Sequence, residues 1–104
     1  MKIIEVKNDS FKKEVLDYKG TVLVDFNATW CGPCRMLKPI IEELANERND
    51  IKFVGVDIDE AEGLSEKYGV YSIPCLVLFK DGQEIDRSIG LKSKDEINKI
   101  LGDK

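Results

Sequence analysis

The sequence predicts an α/β fold, a three-layer sandwich with a central five-stranded mixed sheet and four helices, over 104 residues read as a single domain, 1–104. Three observations predict it. Apolar, β-branched runs alternate with segments of helical period. The runs from Thr21 and Ile51 are almost continuously apolar, as in strands covered on both faces. Asp81-Gly82 then joins two further runs and marks a hairpin.

Taken in order, Lys2 to Val6 is a short strand candidate. Asn8-Asp9-Ser10 supplies capping side chains, and Phe11, Val15 and Leu16 recur at helical spacing until Lys19-Gly20. Thr21 to Asn27 (TVLVDFN) is the second strand. In the longest periodic segment Met36, Leu37, Ile40, Ile41, Leu44 and Ala45 form an apolar stripe, with Arg35, Lys38, Glu42, Glu43 and Glu47 mostly opposite. Pro39 lies inside this helix and bends it, since it lacks a donor and crowds the turn before it. Ile51 to Ile58 is the third strand. Asp59-Glu60-Ala61-Glu62 has the form of a capping box opening a short helix that stops at Gly69. Cys75 to Lys80 and Gln83 to Ile89 form the hairpin. Ser93-Lys94-Asp95-Glu96 is a second capping box, and its helix turns Ile97, Ile100 and Leu101 inward. Helices between strands imply parallel pairing with right-handed crossovers, and the hairpin adds antiparallel strands.

The composition, 42% apolar and 35% charged, suits a packed soluble domain. Acidic residues number 20 against 16 basic, a net charge of -4, and no basic cluster tracks a phosphate backbone. Nucleic acid is therefore not an expected partner. Met1-Lys2-Ile3-Ile4-Glu5 has no apolar h-region and no small-residue cleavage site, and no run reaches the ~18 apolar residues of a membrane span. A cytoplasmic protein with no membrane partner is expected. Three cysteines and no histidine do not make a secreted disulfide framework, and they exclude a Cys-His nucleophile pair and any histidine base.

The chemistry concentrates at Cys31-Gly32-Pro33-Cys34, directly after an apolar strand and before an amphipathic helix. Thiols three positions apart can close a small disulfide ring. Cys31 meets the unpaired N–H groups and positive end of the helix dipole, which favour its thiolate, the nucleophilic form. Cys34, one turn in, is the shielded resolving thiol. Gly32 permits the tight turn, and Pro33 stiffens it where a missing N–H is harmless. The competing reading of C-x-x-C is half a zinc site. Zinc wants four ligands, while the chain offers only Cys75 as a third thiol and no second C-x-x-C, so no metal is expected. Asp25 interrupts an apolar strand before the cysteines. It either reaches water at the strand end or is a desolvated carboxyl with a raised pKa, a proton acceptor for Cys34. Trp30 packs in the core or, at the mouth of the turn, offers a flat apolar surface to a partner. Ile73-Pro74 precedes a strand, where a trans bond is the ordinary case. Cys75 reads as a small buried apolar residue.

Val24-Asp25-Phe26-Asn27-Ala28-Thr29-Trp30-Cys31-Gly32-Pro33-Cys34 resembles the active-site signature of the thioredoxin family. The resemblance extends through Pro39, Lys67-Tyr68-Gly69-Val70, Ile73-Pro74, Phe79-Lys80-Asp81-Gly82 and Ile89-Gly90. Oxidant and isomerase relatives usually carry other residues between the cysteines. The resemblance implies strand order 1-3-2-4-5 with four helices. It also implies a cis Pro74 facing the cysteines, substrate pairing by the Ile73 backbone, and a docking surface that includes Trp30 and Gly90. The implied activity is a thiol-disulfide oxidoreductase, a monomeric electron carrier without a cofactor that reduces protein disulfides and is re-reduced by a thioredoxin reductase. A module of this fold that only docks a partner is the alternative, and it has no need of both thiols. Three positions depart from the common pattern: Asn27 where tryptophan is usual, Gly55 where many members have lysine, and Cys75 in place of threonine. Looser packing under the active-site loop, a weaker case for a lysine that tunes Asp25, and a third thiol near the pair are expected.

Overall fold

A computed structural model describes residues 3–102. Strands β1 (Ile3–Glu5), β2 (Thr21–Asn27), β3 (Ile51–Asp57), β4 (Cys75–Lys80) and β5 (Gln83–Ile89) form one sheet in the order β1-β3-β2-β4-β5. β3 lies parallel to both β1 and β2, while β4 runs antiparallel to β2 and β5. This is the mixed sheet and the strand order that the resemblance implies. Lys2, at the edge of the expected first strand, lies outside the described residues. Four helices accompany the sheet: α1 (Lys12–Leu16), α2 (Gly32–Glu47), α3 (Glu62–Lys67) and α4 (Lys94–Leu101).

The period of two along each strand sorts side chains onto two faces. Leu23, Phe53, Leu76 and Leu78 meet Leu37, Ile41, Leu44, Ile97 and Leu101 from α2 and α4. Val22, Val24, Phe26, Val54, Val56, Val77 and Phe79 meet Phe11, Val15 and Leu64 on the α1 and α3 side. Side-chain ties hold the layers in place. Lys52 donates to the Glu14 carboxylate (2.7 Å) and backbone carbonyl (2.8 Å), fixing α1 to β3. Lys94 pairs with Glu43 and Glu47, fixing α4 to α2.

Several local expectations meet the structure directly. Asp81 and Gly82 take positive φ, 50° and 84°, as the tight hairpin requires. Gly82 also lies against the Leu16 carbonyl, so a Cβ there would collide with backbone. The Ser93–Glu96 capping box forms with both of its hydrogen bonds. The expected box at Asp59–Glu62 does not. α3 begins after Ala61 without a side-chain cap, because the Asp57 carboxylate and carbonyl already take the N–H groups of Asp59, Glu60 and Ala61. α1 is a short, wide turn that ends at Leu16, before Lys19-Gly20, and is closed by the Asp17 N–H donating to the Lys12 carbonyl (2.8 Å). Met36 departs from the apolar stripe: it is 63% exposed beside a fully buried Leu37.

That difference sets the rotation of α2. Leu37→Ala is expected to cost about 2–5 kcal/mol, as for other large-to-small core changes. Met36→Ala should stay within about 0.5 kcal/mol, as at an ordinary surface position. Urea unfolding midpoints at an unchanged slope measure both. Equal losses would mean that the helix is rotated from this placement.

Candidate active site

β2 is paired on both sides, so its end is held firmly, and it delivers the chain to α2 through Ala28-Thr29-Trp30. The loop closes on itself: the Cys31 N–H donates to the Ala28 carbonyl (3.2 Å), and the Arg35 guanidinium donates to the Thr29 carbonyl (2.9 Å). Cys31 is the N-cap of α2, with extended backbone, and Pro33 sits in the first turn. The Cys34 N–H points at the Cys31 sulfur, which accepts from it at 3.2 Å. That is one of the orphan donors of a helix start, aimed at the atom where thiolate charge would reside.

Cys31 and Cys34 form a disulfide, with Cα atoms 5.3 Å apart. Exposure does not separate the two sulfurs, since the residues are 6% and 5% exposed. Surroundings do. The Cys31 sulfur lies 3.9 Å from the Ile73 carbonyl, on the side of the Ile73-Pro74 bond, which is cis. Cys34 instead borders a cleft of about 650 Å³ beneath the first turns of α2, shared with Asp25.

Asp25 is buried, and its Oδ1 has no hydrogen-bond partner within the chain. Burial therefore pushes its carboxyl from the usual carboxylate range up to about 7. The negative charge of Glu5 adds to the rise, and the Lys38 ammonium opposes it. Of the two readings left open for Asp25, the desolvated one matches this environment.

Trp30 is 64% exposed, with its indole N–H held by the Asp59 carboxylate at 2.7 Å. Pro74 is buried, Ile73 half-buried, and the Gly90 N–H donates to the Pro74 carbonyl at 2.8 Å. That bond ties the two loops together. Gly90 has φ of 96° and open space where a Cβ would lie, so its backbone is left accessible. The structure thus gathers Trp30, Cys31, Cys34, Ile73, Pro74 and Gly90 at one end of the sheet. Cys75 faces the α1 and α3 side, buried among Phe26, Val24 and Val77, where burial pushes its thiol pKa up. Among the described residues no group of three or more acidic, cysteine or histidine side chains is arranged to hold a metal.

Sequence reasoning missed Asp59, Glu5 and Lys38. Asp59 was read as a cap, and the other two are ordinary charges with no local pattern to distinguish them. It also missed Ile89 and Leu91, 55% and 40% exposed on either side of Gly90.

The family model described as thioredoxin matches residues 2–103. A thioredoxin of Chlamydia muridarum (strain MoPn / Nigg) is 48% identical over 96 residues, covering 92% of each chain. A thioredoxin of Chlamydia trachomatis serovar D is 52% identical over 82 residues, 79% of this chain and 80% of the relative. A thioredoxin of Bacillus subtilis (strain 168) is 42% identical over 102 residues, 97% and 96% of the two chains.

The Asp25 environment generates a stability prediction. The folded pKa, about 7, lies above the unfolded value near 3.8. Between these values the native state holds a proton that the unfolded state has lost, so stability falls as pH rises through this window. Asp25→Asn removes the penalty. The variant should match the parent near pH 4 and exceed it above pH 7, by an amount on the order of 4 kcal/mol. Urea unfolding at pH 4 and pH 8 checks this. A gain that is the same at both pH values would contradict a buried, titrating carboxyl.

Proposed function

The chain belongs to the thioredoxin family, and from that premise we propose how its residues divide the work. It is a thiol-disulfide oxidoreductase that reduces protein disulfides through a reversible Cys31–Cys34 dithiol. Cys31 is the nucleophile. The observation that carries this assignment is the Cys34 N–H aimed at the Cys31 sulfur at the start of α2.

The reaction runs in two displacements. The Cys31 thiolate attacks one sulfur of the substrate disulfide. A Cys31–substrate bond forms, the substrate S–S bond breaks, and the second substrate sulfur leaves as a thiolate. Cys34 then gives its proton to the Asp25 carboxylate and attacks the Cys31 sulfur. The Cys31–Cys34 bond forms, and the remaining substrate sulfur leaves with the electron pair. Two electrons have passed to the substrate, whose thiolates take protons from water. Asp25 suits the base role because a proton acceptor works best when its pKa lies near the ambient pH. With no histidine in the chain, the base role falls to Asp25, the buried carboxyl of the cleft that Cys34 borders.

The substrate docks on the surface of Trp30, Ile73, Pro74 and Gly90. The Ile73 carbonyl and the open backbone at Gly90 offer main-chain contacts, while exposed Trp30 and Ile89 offer apolar area. Gly32 and Pro33 shape the turn. A thioredoxin reductase supplies the two electrons that return the pair to the dithiol, and this chain itself needs no bound cofactor. The protein acts as a monomer in the cytoplasm, with residues 1–104 as one domain. Among the described residues no helix is long and apolar enough to cross a membrane.

Insulin reduction by dithiothreitol, followed by turbidity, tests the assignment. Cys31→Ser should abolish acceleration. Cys34→Ser should also lose turnover while accumulating a mixed disulfide on Cys31, found by mass spectrometry. An adduct on Cys34 in the Cys31→Ser protein, with none on Cys31 in the Cys34→Ser protein, would reverse the roles.

A further inference from the structure

The cleft beneath α2 is built on a row of three residues across three adjacent strands. Register pairs Glu5 with Gly55, and Gly55 with Asp25. In-register neighbours share a face, so both carboxylates project to the α2 side with the glycine between them. Their backbones are two strand spacings apart, roughly 10 Å. The Glu5 carboxylate leans into the vacant position: a Cβ on Gly55 would sit 2.8 Å from its Oε2 and 3.2 Å from its Oε1. Any larger residue at position 55 would displace it. Asn27, the small polar residue that follows on β2, and Asp57 line the same cleft, so no bulky side chain closes it there. Asp25 faces this space with a buried oxygen that nothing in the chain satisfies.

We propose that Glu5 is a positioning residue for the resolving step: its carboxylate, seated over Gly55 beside the cleft, sets the pH at which Asp25 can accept the Cys34 proton. The proposal rests on the reading of Asp25 as the base. Glu5 touches neither sulfur and acts only through the charge it places before Asp25. Once Cys34 has attacked Cys31, the proton held by Asp25 leaves to water through the cleft, and the carboxylate is ready for another turnover. A second negative charge across the row delays loss of that proton to higher pH.

The other charges around Asp25 are accounted for. Arg35 and Lys38 come from α2, Asp57 from the end of β3 and Glu60 from the turn after it. Lys38 favours the carboxylate and so opposes Glu5. Within the β sheet Asp25 also lies close enough to influence Cys75 on β4, whose thiol is buried and turned to the other face. Glu5 is the negative group that acts on Asp25 most strongly, after desolvation itself.

The test follows the rate of the resolving step against pH, by stopped-flow fluorescence of Trp30 with a preformed Cys31 mixed disulfide. Glu5→Gln should lower the midpoint of this profile by roughly half a pH unit, as expected for removing a solvent-exposed like charge within two strand spacings. Gly55→Ala keeps the charge but crowds the Glu5 carboxylate, and should move the midpoint in the same direction. In the Glu5→Gln background, Gly55→Ala should then add nothing. Carbon NMR of the Asp25 carboxyl in the oxidised protein should show the same displacement. An unmoved midpoint in Glu5→Gln overturns the inference, as does a Gly55→Ala shift that persists without Glu5. Asp25→Asn separates this failure from that of the underlying reading. If it abolishes the pH-dependent phase while Glu5→Gln leaves the midpoint unmoved, only the role of Glu5 fails. If the phase survives in Asp25→Asn, the base assignment fails and the role of Glu5 with it.

Discussion

Strand β2 is hydrogen-bonded along its length on both sides, to β3 in parallel and to β4 in antiparallel register, and the site inherits its geometry from that double pairing. A centrally paired strand cannot slip by one residue without turning every side chain to the other face. Leu23 therefore stays in the α2 layer, and Val22 and Val24 in the layer of α1 and α3. The same alternation forces Asp25 to the α2 side, where the core gives way to the cleft. It also sets where the chain leaves the sheet, and hence where Cys31 caps the helix. A carboxyl that would be costly elsewhere is held in place because its strand has no alternative register.

The helix start and the cleft that holds the buried carboxyl border different cysteines. At Cys31 a backbone N–H and the end of a helix dipole favour negative charge. At Cys34 the neighbour is a carboxyl whose own charge is disfavoured by burial, and which gains by taking a proton. Two thiols of the same intrinsic chemistry are thus set apart by surroundings rather than by exposure. Two small residues modify this arrangement. Gly55 and Asn27 leave open the space beside Asp25, and the charges that act on its carboxyl come from Glu5 on the edge strand and Lys38 on the helix. The third thiol does not enter, because Cys75 falls on the opposite parity of β4 and is buried in the other layer.

Much of the fold and the redox centre was legible in the sequence. Apolar runs bounded by turn residues marked β2, β3 and β4 almost to the residue, since a strand covered on both faces must be apolar throughout. Asp81-Gly82 announced its hairpin, because few residue pairs tolerate two positive φ values. Cys31 at the junction of strand and helix announced its N-cap position, with a backbone N–H aimed at its sulfur, through local physics alone. Weak local signals misled where a stronger partner existed. The Asp59–Glu62 box failed because Asp57 had already taken the free N–H groups, and Asp59 was left to hold Trp30. Met36 matched a helical stripe but lies on its solvent edge.

The sequence by itself determined the alternation of elements, the helix start that Cys31 caps, and the presence of a lone carboxyl in an apolar strand. These depend on neighbours within a few positions, where backbone geometry leaves little choice. Only the tertiary structure decided what surrounds that carboxyl. Glu5, Gly55 and Asp25 are far apart in the chain, and strand register alone brings them into one row. The same is true of the Cys31 sulfur beside the Ile73 carbonyl, and of Gly90 bound to Pro74. Contacts of this kind follow from the order in which strands assemble, and no local pattern of residues encodes that order.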